Sequence, residues 1–241
     1  MLTDWIGKYT AYLLPKHCDL CGLPIEKPYS HPIVCRICLD NMTRQSRCLR
    51  CGLIVPVKVE QCGRCLVSPP PWSRLYCVGD YQHPLASYIH RLKYSGQCWH
   101  AKTLALLLTP HLREKPDLIT FVPLHWQRFL YRGYNQSQHL AWEISQSMQV
   151  NCCGIFRKVR ATVRQQGMTK QQRKRNVRQA FKLHLPINAE HVAIVDDVLT
   201  TGSTVEPLCE LLTQHGVKRI DIYCICRTSE PRDKLSGANL I

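Results

Sequence analysis

The sequence predicts an α/β protein with a mostly parallel sheet covered by helices on both faces, preceded by a small cysteine-rich domain. From residue 74 onward, short apolar segments that suit buried strands alternate with segments of helical spacing. A Ser-Pro-Pro-Pro segment at residues 68–71 separates this region from the part before it. Residues 16–67 hold four Cys-x-x-Cys pairs and no long apolar segment, so we expect cross-links to hold them together.

The secondary structure of the C-terminal region follows from hydrophobic periodicity. Strands are predicted at residues 74–80, 118–123, 154–159, 191–195 and 219–226. Helices are predicted at residues 84–94, 101–112, 135–149 and 204–215. Asn135 is the expected N-cap of the third helix, because its side chain can accept a hydrogen bond from a backbone amide of the first turn.

The predicted domain organisation has five parts: a helix at 1–15, the cysteine-rich domain at 16–67, a linker at 68–73, the α/β domain at 74–230 and a tail at 231–241. Residues 1–15 have an acid at position 4 and no small-residue cleavage site, so they do not resemble a secretory signal. The chain lacks an uncharged apolar run of about 18 residues, so we expect no membrane span. We expect a cytoplasmic protein.

The positive charge is concentrated in one segment. The formal net charge is +15, and residues 157–178 hold nine Lys and Arg residues and no acid. Such a segment favours polyanionic partners, either a nucleic acid or a small polyphosphate, and we expect it to be mobile when empty. Three interpretations stay open: a hood that closes over a bound pyrophosphate, a contact for a single-stranded nucleic acid, or a plain solvated surface.

The cysteine pairs indicate metal sites. In a chain without an export signal, four Cys-x-x-Cys pairs favour metal over disulfides. Eight thiolates make two closed tetrahedral sites, so we expect two structural Zn²⁺ ions. The gaps between pairs are 13, 9 and 10 residues, shorter than the roughly 15–20 residues of a usual zinc ribbon, which leaves the pairing open. We favour consecutive pairs on each ion over an interleaved arrangement of first with third. The expected ligands are Cys18, Cys21, Cys35 and Cys38 on one ion, and Cys48, Cys51, Cys62 and Cys65 on the other.

The segment at residues 192–205 predicts an anion site. The predicted strand ends at Val195 and delivers Asp196 and Asp197 to its C-terminal end, where open α/β sheets bind ligands. The next residues open a helix, and their hydroxyls and inward-aimed amides suit a phosphate. Two carboxylates beside a phosphate favour a sugar diol, with Mg²⁺ to offset the charge. We name residues 200–204 the TTGST loop; they are Thr200, Thr201, Gly202, Ser203 and Thr204.

This segment resembles the phosphoribosyl pyrophosphate motif of type I phosphoribosyltransferases. The resemblance implies that Asp196 and Asp197 hold the ribose hydroxyls, that the TTGST loop surrounds the 5-phosphate, and that Mg²⁺ accompanies phosphoribosyl pyrophosphate. Further matching segments are CGRCL at 62–66, PPPW at 69–72, IHRLK at 89–93, RGYNQ at 132–136 and RKRNVRQAF at 173–181. With the cysteine pairs, they make residues 16–228 similar to the ComF/GntX family. That resemblance implies a double zinc ribbon joined to a phosphoribosyltransferase-like domain.

The family resemblance also gives a role to the segment after the strand at 118–123. In the implied fold, the loop there meets the pyrophosphate, so Arg128 and Arg132 would supply charge and Gly133 would let the backbone approach. Two solvated arginines near a helix start are the alternative interpretation.

The function implied by the resemblance is natural competence or the use of external DNA as a nutrient, with incoming single strands on the cytoplasmic side. We expect the chain to bind phosphoribosyl pyrophosphate or ribose 5-phosphate together with single-stranded DNA, and to contact the uptake machinery through a helicase or loader. The alternative is an active phosphoribosyltransferase with an unidentified acceptor; no catalytic residue is assigned. A transcriptional regulator is less favoured, because the sequence has no helix-turn-helix signature.

Overall fold

The computed structural model describes residues 16–25, 31–43, 45–159 and 180–228. The predicted N-terminal helix, most of the basic segment at 157–178 and the predicted tail lie outside the described residues. The chain divides into two compact units, Met1–Arg44 and Gln45–Ile241. The second half of the cysteine-rich region therefore belongs to the same unit as the sheet.

The first unit contains the first two cysteine pairs, and the structure describes its residues 16–25 and 31–43. A single β-bridge joins His17 to Pro24, and the Cys18 amide donates a hydrogen bond to the Leu23 carbonyl at 2.7 Å. One helix follows, α1 (Arg36–Thr43). The side chains of Cys18 and Val34 are buried among the residues of this unit that the structure describes.

A four-stranded parallel sheet forms the centre of the second unit. Its strands are β1 (Arg74–Gly79), β2 (Leu118–Phe121), β5 (His191–Leu199) and β6 (Arg219–Arg227), in the order β1-β6-β5-β2. Each neighbouring pair is parallel, which confirms the predicted fold class. The predicted strand at 154–159 belongs instead to a separate antiparallel pair, β3 (Phe156–Lys158) with β4 (Phe181–Leu183).

Helices accompany the strands, and four of them begin close to where the periodicity predicts them. They are α2 (Gly63–Val67), α3 (Leu85–Tyr94), α4 (His100–Leu108), α5 (Trp126–Arg132), α6 (Gln136–Met148) and α7 (Glu206–Gln214). Asn135 is the N-cap of α6, as predicted, and its side chain accepts a hydrogen bond from the Ser137 amide at 3.0 Å. Within the described ranges, no helix has the length and apolar character needed to cross a membrane.

Helix α5 corrects a sequence prediction, which treated this segment as a loop. The helix spans only seven residues and buries none of them, although Trp126, Phe129 and Leu130 have helical apolar spacing. Gly133 ends the helix in the left-handed conformation, with φ of 78°. The structure thus accounts for Gly133 as a helix cap.

Both faces of the sheet are covered. Val192 and Ile194 of β5 join Phe156, Phe181 and Leu208 in one hydrophobic cluster, so α7 and the β3–β4 pair pack on that face. Helices α4 and α6 pack against each other and against the sheet. The β5 residues between those of the cluster are also fully buried, because alternate side chains of a strand point to opposite faces.

Strand β5 is longer than predicted. The prediction ended it at Val195, where the apolar run gives way to two acids. In the structure β6 continues to pair with it, and Val198 and Leu199 lie opposite Cys226 and Arg227. Asp196 and Asp197 are therefore strand residues, not loop residues.

Candidate functional site

The two adjacent carboxylates of β5 have different environments. Asp197 is only 3% exposed, and its Oδ2 lies 3.0 Å from the Lys93 Nζ in the last turn of α3. Asp196 is partly exposed, and its Oδ1 accepts hydrogen bonds from Ser137 Oγ at 3.1 Å and from the Asp197 amide at 2.9 Å. Successive strand residues point to opposite faces, which explains why neighbours in sequence have different partners. Asp196 is the carboxylate of the pair that has solvent contact, and among the described residues no cation forms an ion pair with it.

The electrostatics of this pair favour a proton on Asp196. Burial, and secondarily the negative charge of Asp197, raise the pKa of Asp196 from 3.8 to about 7. The hydrogen bonds from the Asp197 amide and Ser137 oppose this shift, and so does the positive charge of Lys93. A carboxyl group with a raised pKa at the end of a parallel strand is typical of a ligand site.

The TTGST loop presents donors at the C-terminal end of β5. Thr200, Thr201 and Ser203 are exposed, and the Ser203 amide donates to Thr201 Oγ1 at 3.3 Å. Across the described ranges, the amides of Thr201, Gly202 and Thr204 have no hydrogen-bond partner. These amides and hydroxyls precede α7, whose N-terminal dipole also favours an anion. The loop therefore has the chemistry of a phosphate site.

Gly202 is required by the geometry of the loop. Its φ is 84°, a conformation that other residues rarely adopt. A Cβ at this position would lie 2.8 Å from Cη2 of Trp72, so the indole also leaves no room for a side chain. Trp72, which closes the predicted linker, is buried and forms part of the wall behind the loop.

Lys93 and Ser137 are site residues that the sequence did not single out for a role at this site. Lys93 lies in the last turn of α3, where a cation also offsets the helix dipole. Its partner, Asp197, is more than a hundred residues away in the chain. The signals that could have found both residues are their places in and beside the IHRLK and RGYNQ motifs.

The residues predicted to meet a pyrophosphate lie on and after α5. Arg132 donates from Nη1 to Gln136 Oε1 at 3.2 Å, and its guanidinium lies 4.9 Å from the centre of the Tyr94 ring. Tyr94 directly follows Lys93, so α5 and the end of α3 are neighbours. Arg128 is exposed on the same helix. A role of Arg128, Arg132 and Gly133 at a pyrophosphate stays a prediction.

The eight paired cysteines form two groups of four, each suited to one metal ion. Within each group, the four Sγ atoms lie within 4.8 Å of one another. Sγ–Sγ distances are 3.7 Å for Cys21 and Cys35, and 3.7 Å for Cys51 and Cys62. A tetrahedral Zn²⁺ with Zn–S bonds of about 2.3 Å requires about 3.8 Å between sulfurs, whereas a disulfide requires about 2.05 Å. The donors therefore fit zinc, and the grouping is the consecutive one.

We define the first cysteine cluster as Cys18, Cys21, Cys35 and Cys38, and the second cysteine cluster as Cys48, Cys51, Cys62 and Cys65. All four positions of each cluster are taken by sulfur, which leaves none for a substrate. Zinc would cross-link the surrounding turns and carry out no hydrolysis.

The fold and the loop define a class of protein. The family model of the phosphoribosyl transferase domain matches residues 136–238, which include both carboxylates and the TTGST loop. The second unit therefore contains a domain of the phosphoribosyltransferase type.

Relatives of the whole chain narrow this class to a family. DNA utilization protein YhgH of Escherichia coli K12 is 38% identical over 225 residues, which cover 89% of this chain and 98% of that protein. Competence protein F of Haemophilus influenzae is 33% identical over 206 residues, covering 80% and 90%. A purine phosphoribosyltransferase structure from Pyrococcus horikoshii has 22% identity and a TM-score of 0.34 over 54% of this chain and 83% of that one. The two sequence relatives establish that the chain belongs to the ComF/GntX family of competence and DNA utilization proteins.

Proposed function

We propose that this protein serves DNA utilization in the cytoplasm and binds the ribose 5-phosphate group of phosphoribosyl pyrophosphate at the end of β5. The observation that carries the proposal is the TTGST loop, with its unpartnered amides and exposed hydroxyls beside Asp196. The match to the phosphoribosyl transferase domain supports a phosphorylated pentose over other anions.

Each residue of the site has a distinct proposed role. The TTGST loop amides and hydroxyls donate to the 5-phosphate, and Asp196 accepts from a ribose hydroxyl. Asp197 shares that role only if Lys93 moves, since the two groups are 3.0 Å apart. Lys93 otherwise offsets the charge of Asp197 beside the bound sugar. Mg²⁺ would bind the pyrophosphate oxygens of phosphoribosyl pyrophosphate, because it prefers oxygen donors.

Calorimetric titration tests this proposal. The zinc-loaded protein is titrated with phosphoribosyl pyrophosphate, ribose 5-phosphate and inorganic phosphate, each with and without Mg²⁺. We expect the two sugar phosphates to bind more tightly than inorganic phosphate, and Asp196→Ala to weaken them most. The matched control is Asp117→Ala, because Asp117 accepts amide hydrogen bonds at the opposite end of β5. Equal affinity of wild type and Asp196→Ala would rule out the assigned role of Asp196.

The transferase alternative predicts a different observable. Transfer of the phosphoribosyl group to an acceptor releases pyrophosphate, and binding alone does not. A coupled pyrophosphate assay with phosphoribosyl pyrophosphate, Mg²⁺ and a panel of bases and nucleosides separates the two. Release that depends on both an acceptor and Asp196 would establish a transferase.

We further propose that the protein binds single-stranded DNA, and a specific surface favours this. Residues 126–131 of α5 are all exposed, and they include Trp126, Phe129 and Tyr131, the last at 89% exposure. Aromatic rings beside Arg side chains form the usual stacking surface for unpaired bases. The names of the relatives, which refer to DNA utilization and competence, support a DNA ligand. We propose a helicase or loader of the uptake machinery as a partner on the same grounds as the family resemblance.

The charges near α5 suit a nucleic acid backbone. Burial, and secondarily the positive charge of Arg128, lower the pKa of Lys158 in β3, so these two cations are neighbours. Lys158 is also the second residue of the basic segment at 157–178, most of which lies outside the described residues. The base of that segment is thus next to the aromatic helix.

Fluorescence anisotropy with a labelled oligothymidylate tests the stacking surface. The double variant Trp126→Leu/Phe129→Leu keeps apolar bulk and removes two rings that share a helix side. We expect roughly tenfold or more loss of affinity, since stacking contributes about 1–3 kcal/mol per base. The control Leu130→Ala removes exposed apolar surface without removing a ring, and we expect little change. A double variant that binds as tightly as wild type would exclude α5 as the DNA surface.

A further inference from the structure

The second cysteine cluster is hydrogen bonded to the candidate phosphate site through Arg227. Arg227 ends β6 and is only 5% exposed. Its Nε donates to the Cys51 carbonyl at 3.0 Å, and its Nη1 donates to the Leu199 carbonyl at 3.3 Å and to the Thr200 carbonyl. We name residues 48–52, which include two cysteines of the second cluster, the cysteine turn. The Arg227 guanidinium therefore connects the cysteine turn with Thr200, the first residue of the TTGST loop.

Trp72 makes a second connection between the same two segments. Its Nε1 donates to the Arg50 carbonyl at 2.7 Å, and its ring closes the space beside Gly202. Arg50 in turn donates from Nη2 to the Pro70 carbonyl at 3.0 Å, which fixes the chain that leads to Trp72. Two neighbouring carbonyls of the cysteine turn are thus held by side chains that contact the loop.

Close contacts hold the cysteine turn against the sheet. Gly52 has φ of 73°, and a Cβ there would lie 2.4 Å from Leu75 Cδ2 and 3.3 Å from Arg227 Cγ. The Leu75 amide of β1 donates to the Leu49 carbonyl at 2.9 Å. A cleft of about 330 Å³ is lined by Cys51, Cys65, Trp72, Thr201 and Arg227 among others, so cluster and loop share one wall.

We propose that the second cysteine cluster, when it holds its metal, sets the shape of the TTGST loop through Arg227 and Trp72. Both side chains act as positioning residues: they hold backbone carbonyls and have no assigned contact with ligand. A bound metal would fix the backbone of residues 48–52. Arg227 and Trp72, which contact both segments, would then restrict the motion of residues 199–202. The first cysteine cluster belongs to the other compact unit. Loss of metal from the second cluster would therefore loosen the phosphate site.

Hydrogen–deuterium exchange of the full chain tests this without any ligand. We expect the hydrogen-bonded amides of Ser203, Val205 and Glu206, at and just after the loop, to exchange roughly tenfold faster or more in Cys62→Ser. The same acceleration is expected in Arg227→Met and Trp72→Phe, which keep both clusters intact. Cys21→Ser, which alters the first cluster, is the matched control and leaves this exchange unchanged. Residues 192–195 of β5 are the internal reference. Unchanged loop exchange in Arg227→Met and Trp72→Phe would overturn the proposal, and so would equal acceleration in residues 192–195.

A ligand arm separates this inference from the proposed function on which it rests. With ribose 5-phosphate as the probe, we expect Arg227→Met to bind roughly tenfold more weakly than wild type, because the loop is less ordered. Unchanged affinity alongside unchanged exchange refutes the positioning role. A wild type that does not bind the probe refutes the proposed function, and the exchange result then decides the present inference alone.

Discussion

Replacing Asp196 by Asn should stabilise the protein, and by more at alkaline than at acidic pH. The amide keeps the size of the side chain and still accepts from Ser137 and from the Asp197 amide. It removes the cost of ionising a partly buried carboxyl beside Asp197. Burial first, and the charge of Asp197 second, raise the pKa of Asp196 in the folded protein from 3.8 to about 7.

The sign and size of the effect follow from proton linkage. Between pH 3.8 and about 7, the folded state keeps a proton on Asp196 that the unfolded state has lost, so stability falls as the pH rises. At 1.36 kcal/mol per pKa unit, the ionisation of Asp196 lowers the free energy of unfolding of the wild type by about 2 kcal/mol between pH 5.5 and 8.5. The partial solvent exposure of Asp196 reduces the expected value to about 1 kcal/mol.

Urea denaturation of the zinc-loaded proteins, followed by circular dichroism at pH 5.5, 7 and 8.5, measures this difference. The advantage of Asp196→Asn over wild type should grow mostly between pH 5.5 and 7 and little between pH 7 and 8.5, because Asp196 titrates near pH 7 in the folded protein. The control is Asp117→Asn: hydrogen bonds from the His191 and Glu190 amides lower the pKa of Asp117, so it is ionised in both states over this range. The effect of that variant should not depend on pH. An Asp196→Asn advantage that stays constant or shrinks toward pH 8.5 would refute the reasoning.

Three further predictions concern the metal, the loop and the buried ion pair. Elemental analysis of the purified protein should give two zinc ions per chain, and Cys21→Ser and Cys62→Ser should each lose one. Gly202→Ala should lower the free energy of unfolding by about 1–3 kcal/mol, and by more than Gly216→Ala, which has a similar φ but open space around its Cα; equal costs would exclude the contact with Trp72. Lys93→Met should lower the free energy of unfolding by roughly 3–5 kcal/mol, because it leaves Asp197 buried without its partner. Adding Asp197→Asn should recover most of this loss in the same urea assay.

The strand and helix pattern was largely predictable because each element carries its own periodic signal. The four strands of the sheet and α3, α4, α6 and α7 lie where apolar spacing predicts them. Helix α5 was missed although Trp126, Phe129 and Leu130 have helical spacing, because seven residues are too few for periodicity to distinguish a helix from a loop. The end of β5 was misplaced because its last four residues are held by pairing with β6, and a distant strand leaves no local signal.

The candidate site was predictable in its chemistry and less so in its geometry. The polar residues after the strand and the glycine of the TTGST loop follow one another in the chain, so the sequence alone indicates an anion site. The prediction placed Asp196 and Asp197 side by side at the end of the strand. In the structure, the alternation of side chains within β5 brings Asp196 to Ser137 and Asp197 to Lys93.

The sequence by itself determined the α/β class, the sulfur donors of two metal sites and the hydroxyl-rich loop, because each of these depends on residues within a few positions of one another. Only the tertiary structure decided which carboxylate is paired with a cation and that Arg227 connects the second cysteine cluster with the loop. The hydrogen bond from Arg227 to Cys51 joins residues 176 positions apart. Such contacts depend on how strands and turns pack in space, and spacing along the chain does not record them.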